Sequence, residues 1–151
     1  MLKYSRMKTI LFVCIHNSGR SQMAEALLRF LGGGRFEAES AGLEPGVLNP
    51  VVIVALKEIE IDISRAKTKS VFDLHKQGRF YQYVITVCDE SSSESCPIFT
   101  GLVRERMHWN FTDPASFQGS DEERLARTRV VRDQIKAKIE EFIEKGVGRR
   151  A

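Results

Sequence analysis

The sequence has no long apolar run, and nowhere does it approach the ~20 residues of a membrane-spanning helix. Its start, MLKYSRMKTILFVC, places positive charge before apolar residues. That run is about six residues, short of the roughly 7–15 of a secretory leader. A surplus of one charge is missing too. Lys and Arg total 23 against 20 Asp and Glu, a net +3. With no basic stretch interleaved with aromatics, nothing indicates a nucleic acid or a membrane as partner; the balance gives at most a mild attraction for anions. Cysteines number three, an odd set that makes no disulfide framework and suits catalytic or redox work in a reducing compartment. Internal repeats, low-complexity tracts and an interdomain linker are absent as well. What remains is 151 residues, 42% hydrophobic and 28% charged. These values suit one cytoplasmic globular domain over 1–151, with 1–7 and 146–151 expected to fray.

Apolar patterning supplies the elements. Thr9 to Val13 reads as a buried strand ending on Cys14, and Met23, Ala26, Leu27, Phe30 and Leu31 mark a helix. Gly32, Gly33 and Gly34 end that helix, where glycine takes a left-handed cap at little steric cost. Residues 36–42 alternate as a second strand. Asn49-Pro50 is a cap and first-turn pair for a helix over 51–59. A short helix over 70–77 precedes a third strand, Tyr81 to Val87, followed by Cys88. Met107 to Phe111 reads as the last strand, before Asp113-Pro114. Ser120 and Glu123 form a capping box for a final helix, with Leu125, Val131, Ile135, Ile139 and Phe142 facing inward. Strands alternating with helices imply a single three-layer α/β domain: a four-stranded parallel sheet with helices on both faces. Ligands of such sheets bind beyond the carboxyl ends of the strands. Cys14, Cys88 and Asp113 all lie at or after strand ends, so one rim collects them.

The densest chemistry is Cys14-Ile15-His16-Asn17-Ser18-Gly19-Arg20-Ser21. A strand, a small polar loop and a helix start aim backbone N–H groups and the helix dipole at one point. A field that binds an oxyanion also favours a thiolate, which makes Cys14 the candidate nucleophile. Arg20 adds a planar fork for two oxyanion oxygens. His16 raises the positive field of the loop. Elsewhere, Cys88, Cys96 and His108 are too widely spaced, without an obvious fourth ligand, for a zinc site. His75 and His108 read as structural or surface residues, and Trp109 as core.

This loop fits the C-x5-R-S/T pattern of cysteine-dependent phosphatases, and its place after the first strand resembles the low-molecular-weight phosphatase family. Cys88, Cys96-Pro97, His108-Trp109, Asp113-Pro114-Ala115 and Gly119 extend the likeness to the thioredoxin-coupled arsenate reductases of that family, over roughly residues 8 to 143. The resemblance implies Cys14 as nucleophile, Cys88 as the thiol that resolves the adduct and Cys96 as the exit thiol. It implies Asn17 and Ser21 as supports of the loop, and Asp113 as general acid. It also implies an arsenate- or phosphate-like oxyanion held by residues 15–21, and thioredoxin or an equivalent thiol donor as partner. No metal or organic cofactor is required, with room for a monovalent cation near Asn17, Glu25 and Ser40.

Three departures stand out. Asp89 to Ser95, between Cys88 and Cys96, is one residue longer than the family's usual spacing. Gly19 replaces a cysteine found in several members. Ala115-Ser116-Phe117 stands where tyrosine phosphatases of this fold carry an aromatic pair. Two rivals to arsenate reduction remain at this point. One is a phosphatase using Cys14, Arg20 and Asp113; the other is a non-catalytic oxyanion or redox sensor switched through Cys14 and Cys88.

Overall fold

The computed structural model describes residues 7–89 and 98–147. The expected frayed ends fall largely outside this range, as does Cys96. Four strands form one parallel sheet among the described residues: β1 (Lys8–Cys14), β2 (Phe36–Gly42), β3 (Phe80–Thr86) and β4 (Leu102–His108), in the order β2-β1-β3-β4. Helices α1 (Arg20–Gly32), α2 (Pro50–Lys57), α3 (Val71–Lys76) and α4 (Asp121–Glu141) complete the domain. From β1 the chain crosses to β2 on one side, and later returns to place β3 on the other. The crevice beyond the ends of β1 and β3 is therefore the topological switch point, where such sheets bind ligands.

Alternation along β1 splits the core in two. Ile10, Phe12 and Cys14 face α1, α2 and α4 with Met23, Leu27, Val52, Leu56, Ile135 and Ile139. Leu11 and Val13 face the smaller second layer of Val71, Leu74 and Phe99 around α3. Both faces are covered, as the alternation of strands and helices requires.

Several expected boundaries move. The first helix begins at Arg20, so Arg20 and Ser21 lie in its opening turn rather than in the loop. Asn49 caps the second helix through Val51 N–H, as expected, but the helix stops at Lys57 instead of running to Ile59. Gly33 does take φ +62, yet with ψ −140, a conformation open to glycine that is not the left-handed helical cap. The largest correction concerns the last strand. Met107 to Phe111 is not that strand; β4 spans Leu102–His108, and its sequence LVRERMH is largely exposed at the sheet edge. An edge strand so polar carries no apolar alternation to detect. The aromatic run after it is instead a buried extension, with Trp109 packed against Phe12 and Phe142 at 5.8 Å centroid distances. Its backbone continues the ladder: Trp109 N–H donates to Thr86 O and Phe111 N–H to Cys88 O. That extension carries the chain to the rim of the sheet.

Candidate active site

The loop after β1 is held from outside. The carbonyls of Cys14, Ile15, His16 and Ser18 accept from the amides of Leu43, Glu44, Gly46 and Asn49 at 2.8–3.2 Å. A trans peptide is planar, with its N–H opposed to its C=O, and no cis bond occurs among the described residues. Turning these carbonyls outward therefore turns the amides of Ile15, His16, Asn17 and Gly19 inward. Asn17 shows this directly: its N–H donates to Cys14 Sγ at 3.2 Å. Helix α1 begins without a side-chain cap, and its first backbone bond is Met23 N–H to Gly19 O. A helix start of this kind presents the positive end of its dipole to the loop that precedes it. Residues 43–49 can lie this close only because Gly42 has no side chain. A Cβ there would come within 2.6 Å of Ile15 O and 2.8 Å of Asn17 N.

Cys14 is tied to a chain of buried side chains. Cys14 Sγ lies 2.8 Å from Ser21 Oγ, and Asn17 Nδ2 donates to that same oxygen at 2.8 Å. Ser21 thus receives one hydrogen bond and has its own proton to offer the sulfur. The direction is fixed further back. Asn17 Oδ1 accepts from Lys69 N–H at 2.9 Å and from Gln22 Nε2 at 3.1 Å, so the amide cannot be flipped. Asn17 itself stands at φ +55, in the left-handed region that asparagine tolerates better than most residues. A hydroxyl donated to a charged sulfur is worth about 1.5–3 kcal/mol.

Arg20 is 3% exposed and approaches the pocket from the first turn of α1. Its NH1 donates to Phe111 O at 3.1 Å and its NH2 pairs with Asp113 Oδ2 at 3.3 Å. The aromatic extension after β4 therefore serves to bring a carbonyl to the guanidinium. Asp113 caps the short 3-10 turn Pro114–Ser116 through Ala115 N–H, while its other oxygen faces Arg20.

The sequence-derived set is thus largely assembled. Cys14, Ile15, Asn17, Ser18, Gly19, Arg20 and Ser21 form one cradle, with Asp113 at its rim. His16 contributes its backbone, but its ring turns outward, where Nδ1 donates to Glu44 O at 3.0 Å. Cys88 is buried one strand away, just past Thr86, which pairs with Val13. It is disulfide-bonded, whereas Cys14 is a free thiol. Glu25 and Ser40 are joined to each other, Ser40 Oγ donating to Glu25 Oε1 at 2.6 Å. Gln22, Gly42 and Lys69 escaped the sequence reading. Of these only Gly42, placed at a strand end, carried a local signal.

Comparison with known proteins agrees with this geometry. The chain is 41% identical over 139 residues to an arsenate reductase of Halalkalibacterium halodurans, and 40% identical over 139 residues to one of Bacillus subtilis. Each alignment covers 92% of this chain and 97% of the relative. Among solved structures, an arsenate reductase in its phosphate-binding state superposes with a TM-score of 0.76 at 32% identity, covering 92% of this chain and 98% of the other. A thioredoxin-dependent arsenate reductase of Corynebacterium glutamicum gives 0.61 at 27% identity, over 95% of this chain and 63% of that one. The sequence profile of low molecular weight phosphotyrosine protein phosphatases matches residues 9–150, nearly the whole chain: the chain belongs to the low molecular weight phosphotyrosine protein phosphatase family.

Proposed function

We propose that this protein is an arsenate reductase that works through Cys14, Cys88 and Cys96. The observation that carries the reading is a second buried cysteine, Cys88, just past the strand beside the Cys14 cradle, where a phosphatase needs only one thiol. Relatives named arsenate reductases, alike over nearly the whole chain, support it.

In this reading arsenate enters the loop, its oxygens taking the inward amides and the Arg20 fork. It competes with Asp113 for Arg20 NH2. The Cys14 thiolate attacks arsenic, and an arsenate hydroxyl takes a proton from Asp113 and leaves as water. Cys88 thiolate then attacks Cys14 sulfur. The S–As bond breaks with its electron pair on arsenic, so As(V) becomes As(III) and arsenite departs, leaving a Cys14–Cys88 disulfide. Cys96 attacks Cys88, freeing Cys14 and forming Cys88–Cys96, which thioredoxin or an equivalent dithiol reduces. Phosphorus does not accept electrons this way, so an aryl phosphate would stop at hydrolysis. Neither a metal nor an organic cofactor is called for by these steps. The cycle starts from three free thiols, which places it in the reducing cytoplasm.

The test is a single turnover. Fully reduced protein given excess arsenate and no donor should release one arsenite per chain and stop with Cys88 bonded to Cys96 by peptide mapping. Cys96→Ser should release one arsenite, accumulate Cys14–Cys88 and fail to cycle with thioredoxin. Arsenite from Cys88→Ser would end the proposal.

A further inference from the structure

Family likeness leaves room for a monovalent cation near Asn17, Glu25 and Ser40, and the side chains here do not fit one. A carbonyl oxygen has two acceptor positions. Those of Asn17 Oδ1 are taken by Gln22 Nε2 and Lys69 N–H. Glu25 Oε1 accepts the Ser40 hydroxyl at 2.6 Å and faces Lys69 Nζ at 3.8 Å. Its other oxygen pairs with Arg29 NH2 at 3.1 Å. A bound ion would have to enter beside two positive side chains and take oxygens already in use.

We propose that the Lys69 ammonium is a built-in cation for the catalytic loop, standing where a monovalent ion would otherwise balance Glu25. Lys69 reaches this position through backbone bonds that fix it on both sides. Its carbonyl accepts from Gly42 N–H at 2.8 Å and its amide donates to Asn17 Oδ1. The side chain folds back so that Nζ also donates to Lys67 O at 3.1 Å. Lys67 O accepts from Gln22 Nε2 as well. One residue thus joins the partly buried Glu25 carboxylate to the asparagine that orients Ser21 and Cys14. Of the two cationic partners Lys69 is the more enclosed, 36% exposed against 60% for Arg29. Arg29 is also held by Ala38 O. An internal ammonium is present at full occupancy at any salt composition, so loop support does not depend on which cation surrounds the protein.

Lys69→Met removes the charge and keeps both backbone bonds, which makes it a clean probe. Thermal unfolding of the full reduced chain is followed in potassium, sodium or choline chloride at equal ionic strength. The native protein should melt at the same temperature in all three. Lys69→Met should melt lower in choline and recover saturably with potassium. Its thioredoxin-coupled arsenate reduction should fall several-fold in choline and recover in potassium. Only this last arm rests on the reductase reading; the melting arm uses no arsenate and stands apart from it. A saturable rise of the native melting temperature with potassium over choline overturns the proposal. So does a Lys69→Met protein indifferent to the three salts. Lys69→Arg, which keeps the charge, should stay indifferent and serves if Lys69→Met does not fold; a potassium response there also overturns it. Glu25→Gln added to Lys69→Met should abolish the potassium response, and its survival would count the same way.

Discussion

β1 and β3 lie side by side, run in the same direction, and each delivers a buried cysteine at or just past its last residues. What surrounds the two sulfurs differs. Around Cys14 the backbone turns its carbonyls away toward residues 43–49, a helix start follows, and Ser21 and Asn17 bond at the sulfur. Around Cys88 the ladder simply continues, its carbonyl accepting from Phe111 N–H. The first surrounding gathers inward amides and hydrogen-bond donors around the sulfur. The second holds its sulfur, which is disulfide-bonded, just past the end of the neighbouring strand. Burial at a strand end is common to the two cysteines; the pattern of outward carbonyls belongs to the loop after Cys14.

The largest expected effect separates the two cysteines. Cys14→Ser should lower both arsenite formation and aryl-phosphate cleavage by roughly a thousandfold or more. Cys88→Ser should abolish only the first. Equal loss of both activities in the two variants, read by arsenite assay and phenol release, would erase the distinction. Next comes Asp113→Asn. Asparagine can accept the same bond from Ala115 N–H, so the melting temperature should stay near native. Formation of the Cys14 adduct should slow roughly a hundredfold, within the usual range for a lost general acid. Stopped-flow measurement of the first turnover checks this.

Gln22→Leu sharpens the comparison from within the loop. It removes one of two donors from Asn17 Oδ1, and a neutral hydrogen bond of about 1 kcal/mol corresponds to several-fold in rate. Cleavage through Cys14 should drop by about that factor, while exchange between Cys88 and Cys96 should not change. The smallest effect lies far from both sulfurs. The Ser120 backbone N–H, with its hydroxyl, holds the Glu123 carboxyl below the ordinary carboxylate range. A folded value below the unfolded one stabilises the fold above that range, and the gain fades as pH falls through it. Glu123→Ala should thus cost a little melting temperature at neutral pH, with the difference from native narrowing in acid. Neither cysteine's chemistry should move.

How much of this could be read from the sequence follows from where each signal resides. Cys14, Arg20 and Ser21 were legible because one short stretch fixes both the elements and the residue types the chemistry needs. Asn49 and the Ser120–Glu123 box were legible because capping is local. β4 was not, since its exposed, charged residues carry no alternation and the apolar aromatics beside it drew the assignment past its end. Lys69 and Gln22 were not legible as site residues for a different reason. Lys69 meets Asn17 from 52 residues away, and Gln22, although only five residues along, reads like any polar position in the first turn of a helix.

The outward bonds of the catalytic loop also set an order of events in synthesis. Cys14 emerges early from the ribosome, but the amides of 43–49, the Lys69 amide and the Phe111 carbonyl that shape its surroundings are made later. A nascent chain cut short of these residues lacks the bonds that hold the loop in shape. The surroundings of this sulfur come into being only as the long-range contacts close, late in synthesis.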